Sequence, residues 1–121
     1  MKKILVVDDD KNARAVLRDI LIANAYDVME AGDGQEALGI VHRDSVDLII
    51  TDRSMPGLDG LALLRALREE KRGLPVLMIS AYGEERLWAE AIGLGAKDYI
   101  LKPFDPDSVL KEVRKYLGAS R

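Results

Sequence analysis

Cysteine is absent, and histidine, tryptophan and phenylalanine occur once each in 121 residues. Without cysteine there is no disulfide scaffold, no thiolate metal site and no thiol nucleophile, which agrees with a reducing compartment. Long apolar runs are missing too; the longest falls far short of the ~20 residues a membrane span needs. The start, MKKILVVDDD, sets four apolar residues between two lysines and three aspartates, too few for the apolar stretch of a secretion signal. A cytoplasmic protein is expected, with no membrane partner. There is no excess of positive charge either: 18 Lys and Arg face 21 Asp and Glu, for a net charge of −3. With no basic stripe on any segment, direct contact with nucleic acid is not expected. Repeats, low-complexity tracts and linkers are also lacking, so residues 1–121 read as one domain.

What is present is a regular alternation of strand-like and helix-like patterns. KILVV (3–7) is a continuous apolar run rich in β-branched residues, as in a strand buried on both faces. Ala13, Val16, Leu17, Ile20 and Leu21 recur at helical spacing between Asn12 and Asn24. YDVMEA (26–31) reads as an edge strand, and Asp33 with Glu36 opens a second helix as a capping box. DLIIT (47–51) is the third strand, and Leu61, Leu64, Ala66 and Leu67 mark the helix after it. LPVLMIS (74–80) is the fourth strand. A helix from Glu84 to Leu94 follows, stopped by Gly95. DYIL (98–101) is the fifth strand, and Asp105 with Pro106 opens a last helix that faces Val109, Leu110, Val113 and Leu117 inward. Five such units with short connections imply a doubly wound α/β domain, a parallel sheet with helices on both faces.

Ligands of such sheets bind beyond the carboxyl ends of the strands, so the residues there carry the chemistry. Strand one ends on Asp8, Asp9 and Asp10, strand three on Asp52, strand four on Ser80 and strand five on Lys102. A single strand-end Asp or Ser is ordinarily a helix cap, and Asp10 reads as a cap or a solvated side chain. Three carboxylates together are different, because two of them about 4 Å apart repel by roughly 4 kcal/mol at an effective dielectric of 20. Either a divalent cation or the Lys102 ammonium offsets that repulsion. Oxygen ligands alone, with no His or Cys beside them, favour Mg²⁺ together with phosphate oxygens. A carboxylate can attack phosphorus to give an aspartyl phosphate, with Asp52 as nucleophile. The Ser80 hydroxyl, Lys102 and backbone N–H groups would then hold the equatorial oxygens.

VVDDD, DRSMPGLDG, the SA pair at 80 and 81, and LKPF, in that order, give the chain a resemblance to response-regulator receiver domains of two-component signalling. The resemblance covers the whole chain and implies a flavodoxin-like (βα)5 fold with strand order 2-1-3-4-5. It implies Mg²⁺ (or Mn²⁺) bound directly by Asp9 and Asp52, through water by Asp8, and by the backbone carbonyl of Ser54. It makes Asp52 the phosphoacceptor for a histidine kinase or histidine phosphotransfer protein, with Lys102 paired to the phosphoryl group and a cis bond to Pro103. Ser80 and Tyr99 become the switch, and a downstream protein reads helix four, strand five and helix five. Ser54 and Tyr82 are the positions that tune dephosphorylation. The module is a signalling phosphoacceptor, not an enzyme, although it promotes its own phosphorylation and dephosphorylation. The stop at Arg121 leaves no effector domain in view, so two readings stand, a single-domain regulator like chemotaxis or sporulation-phosphorelay receivers or a receiver cut from a larger transcription factor; the segments SAYGE and LKPFD lean toward the sporulation-phosphorelay type.

Trp88 has two readings, an anchor on that output face or a residue packed into the core. Asp59 reads as a cap for the third helix. Two other functions compete. A Mg²⁺-dependent phosphohydrolase of the haloacid-dehalogenase type shares the strand-end aspartate, but its general acid two residues on would here be Ser54. A flavodoxin-like mononucleotide binder wants a phosphate loop after strand one, where three aspartates would repel it.

Overall fold

The structure, a computed structural model, describes residues 1–70, 73–81 and 84–118. Five strands, β1 (Lys3–Val7), β2 (Asp27–Ala31), β3 (Leu48–Asp52), β4 (Val76–Ala81) and β5 (Asp98–Lys102), alternate with helices α1 (Lys11–Ala23), α2 (Gly34–Arg43), α3 (Gly60–Glu69), α4 (Trp88–Gly93) and α5 (Pro106–Leu117). All pairings are parallel, as the alternation implied, and the order is β2-β1-β3-β4-β5, as the family resemblance implied. No described helix is long and apolar enough to cross a membrane.

The period-2 alternation of the strands divides the core in two. Ile4, Val6, Leu48, Ile50, Leu77 and Ile79 pack against Leu17 and Leu21 of α1 and Val109 and Val113 of α5. Leu5, Val7, Ile49, Val76 and Met78 meet α2, α3 and Ala91 of α4 on the other side. Each fully buried Leu or Ile contributes roughly 1.5–3 kcal/mol of transfer free energy, so the sheet is clamped from both faces and its carboxyl edge is held rigidly. Winding reverses between β1 and β3, which puts the crevice of the fold over the ends of those two strands.

Aspartates start four of the helices. Asp10 accepts from the N–H of Asn12 (2.9 Å), Asp33 from Glu36 (2.8 Å), Asp59 from Ala62 (2.9 Å) and Asp105 from Ser108 (2.7 Å), each satisfying a donor that the first turn leaves unpaired. Asp59 is thus the cap it was expected to be. Glu36 reaches one residue further back than a standard capping box, accepting from the Gly32 N–H at 2.6 Å. The fourth helix departs from expectation. In place of one α-helix from Glu84 to Leu94, a 3₁₀ turn over Glu85–Leu87 leads into α4 at Trp88. The Glu84 carboxylate folds back onto the Ala81 N–H at 2.9 Å and no side chain caps α4, so the uncapped turn tightens to the 3₁₀ form. Gly95 ends the element with φ 96°.

Candidate functional site

Register places the strand-end residues as a staircase. Val7 pairs with Thr51, Asp52 with Ile79, and Ser80 with Leu101, so Asp8 and Asp52 lie side by side while Ser80 and then Lys102 each stand one residue further along. The loop after Asp52 turns tightly back because Gly60 opens α3: a Cβ there would stand 2.3 Å from the Asp52 carbonyl oxygen. The Gly60 N–H donates to the Arg53 carbonyl at 3.1 Å, closing the loop over the site.

Carboxylate oxygens of Asp8, Asp9 and Asp52 lie within 4.8 Å of one another. Asp8 is buried and Asp9 exposed. Burial holds the Asp8 carboxyl above its ordinary value of 3.8. The charges of Asp52 and Asp9 push the same way, against the Asp10 N–H and Lys102. One Asp8 oxygen accepts from the Asp10 N–H at 2.9 Å; the other, Oδ2, is buried with no hydrogen-bond partner. On the Asp52 side, Oδ1 accepts from the Ser54 N–H at 3.3 Å and Oδ2 lies 3.4 Å from Lys102 Nζ. Three hard oxygen donors, one of them an orphan directed into a partly buried site, fit a small divalent cation that keeps some of its waters. The Lys102–Pro103 bond is cis. Ser54 is exposed, and Tyr82 lies outside the described residues.

Ser80 and Tyr99 belong to a second cluster behind the first. Ser80 is buried; its Oγ accepts from Trp88 Nε1 at 3.3 Å and donates to either the Ala81 carbonyl (3.3 Å) or Glu84 Oε1 (3.4 Å). Tyr99 is buried, its ring stacked on that of Trp88 with centroids 4.7 Å apart and planes 14° apart. The Tyr99 hydroxyl donates to the Leu87 carbonyl at 3.5 Å. Burial raises the Tyr99 hydroxyl above its usual value, and the positive charge of Arg53 draws it only partly back. Trp88 is therefore partly buried and packed against the core, not a free anchor on the surface. Arg53 and Glu84 were not among the expected site residues. Glu84, four positions after Ser80 in SAYGE, was legible as a return contact; Arg53, in an irregular loop, followed no period.

An α/β sandwich that gathers acidic side chains and a lysine at the carboxyl edge of its sheet puts its chemistry where doubly wound domains bind their ligands. The chain belongs to the response regulator receiver domain family, whose model matches residues 4–114. It is 41% identical over 98% of its length to the alkaline phosphatase synthesis transcriptional regulatory protein PhoP of Bacillus subtilis, of which it spans only 50%. It is 35% identical to sporulation initiation phosphotransferase F of the same organism, over 96% of this chain and 94% of that one. Among solved structures, the receiver domain of Francisella response regulator 1452 superposes with a TM-score of 0.91 at 33% identity, over 100% of both chains. Receiver domains are signalling modules that bind Mg²⁺ through acidic residues and interact with histidine kinases or phosphotransfer proteins.

Proposed function

We propose that Asp52 is the phosphoacceptor of this receiver domain. A carboxylate oxygen of Asp52 attacks the phosphorus of a phosphohistidine on a kinase or phosphotransfer protein. The O–P bond forms as the P–N bond breaks, and the electron pair leaves with the imidazole nitrogen, which takes a proton from solvent. Asp9 and Asp52 would hold Mg²⁺ directly and Asp8 through water, with the Ser54 carbonyl as a further ligand. When bound, the ion neutralises oxygen charge on the transferred group. Lys102 supplies a second positive charge at the same place, and in the metal-free protein it offsets the repulsion among the three carboxylates.

Arrival of a group carrying about two negative charges biases the Ser80–Tyr99 cluster, and the surface of α4, β5 and α5 then presents a changed face to a downstream protein. The observation that carries the reading is the Lys102 ammonium 3.4 Å from Asp52 within the acidic triple. Intact-mass measurement after acetyl phosphate treatment with Mg²⁺ tests it. One phosphoryl group per chain is expected, with none in Asp52→Asn or after chelation; full labelling of Asp52→Asn would overturn the assignment.

A further inference from the structure

Ser80 is buried beside the phosphoacceptor, yet among the described residues its hydroxyl bonds to Trp88, Glu84 or Ala81 and to neither Asp52 nor Lys102. One of its two lone pairs accepts from the indole N–H. Its single proton is shared between the Ala81 carbonyl and Glu84, whose carboxylate is itself pinned by the Ala81 N–H at 2.9 Å. A serine has one proton to donate, so donating it to a phosphoryl oxygen on Asp52 breaks the bond to Ala81 or Glu84, while the indole N–H, 3.3 Å away, restrains where the oxygen sits. The indole, in turn, does not move alone: its ring lies on the Tyr99 ring, and the Tyr99 hydroxyl is tied to the Leu87 carbonyl one residue before Trp88.

Resting on the reading of Asp52 as phosphoacceptor, we propose that Trp88 is a positioning residue for Ser80. Its indole N–H holds the hydroxyl turned toward the start of α4, and the Trp88–Tyr99 stack ties release of that hold to β5. Ser80 reaches the phosphoryl group only when the indole lets go. The single tryptophan thereby couples the site to the α4–β5 surface through one hydrogen bond and one ring stack. A tryptophan serving only as packing would keep the ring contact but have no dependence on its N–H.

Trp88→Phe keeps an aromatic ring against Tyr99 and removes the donor. Losing one restraining hydrogen bond is expected to speed labelling of Asp52 by acetyl phosphate about fivefold. In a Ser80→Ala background the same change should have no effect, since there is no hydroxyl to release. Unchanged or slower labelling in Trp88→Phe, or an equal gain in both backgrounds, overturns the proposal. The unmutated protein supplies a check that does not depend on the variants folding. Its one tryptophan has one indole N–H resonance, expected to shift with beryllofluoride and Mg²⁺ in the same direction as in Ser80→Ala. Full labelling of Asp52 with an unmoved resonance removes the Trp88 role and leaves the phosphoacceptor standing; no labelling removes both.

Discussion

Four helices of this domain begin on an aspartate whose carboxylate accepts from the first turn, while α4 begins on a 3₁₀ turn with no side-chain cap. The difference lies in where a carboxylate is used. At α1, α2, α3 and α5 it secures the helix; ahead of α4, Glu84 turns back to Ser80 and the Ala81 N–H. The capped helices form a rigid frame around the acidic cluster, and the uncapped one carries Trp88, the group in contact with both Ser80 and Tyr99. Elements that must move are drawn from the less stable parts of a fold, and here that part adjoins the site.

Breaking the frame should have the largest effect. Gly60→Ala places a methyl group 2.3 Å from the Asp52 carbonyl, and the start of α3 must shift; a loss of about 3 kcal/mol is expected from such overpacking, measured by urea unfolding. Next is the metal. Saturating Mg²⁺ at 100 times its dissociation constant should stabilise the protein by about 2.7 kcal/mol, a gain absent in Asp8→Asn and Asp52→Asn, as thermal melts would show.

How much of this frame was legible follows from what each residue does locally. Caps and strand ends are written in neighbouring residues, so Asp10, Asp33, Asp59 and Asp105 and the staircase of Asp8, Asp52, Ser80 and Lys102 stood where the residue types placed them. The sheet order followed from the family resemblance. The α4 region was not legible in the same way. Its lead-in turn follows no 3.6-residue period, so spacing could not aim the Trp88 ring, and the influence of the Arg53 charge on Tyr99 links a loop to a strand 46 positions away. The relatives include both of the expected kinds, a transcriptional regulatory protein of which the chain spans half, at 41% identity, and a sporulation phosphotransferase matched over nearly its whole length, at 35%.

Smaller effects sharpen the contrast between capped and uncapped helices. Asp59→Ala should cost about 1 kcal/mol by removing a cap, whereas Glu84→Ala, which removes none from α4, should cost less and alter labelling kinetics more. Asp8→Asn should stabilise the metal-free protein at neutral pH. The sign follows from the raised Asp8 pKa. Below the ordinary value of 3.8 the carboxyl is neutral in both folded and unfolded chains and the variant gains nothing. As pH rises through the folded value, the native protein must hold a buried charge, and the gain of the neutral amide appears. Unfolding curves well below pH 3.8 and at about pH 7 would show no difference between the two proteins at the lower pH and the full difference at the higher.

The central claim is the position of the phosphoryl group. Borohydride reduction of the labelled chain, followed by peptide mapping, converts an aspartyl phosphate to homoserine and so marks the residue that carried it. Homoserine at position 52 alone is the predicted result; homoserine at Asp8, Asp9 or Asp59, or at no position in a fully labelled chain, would contradict it.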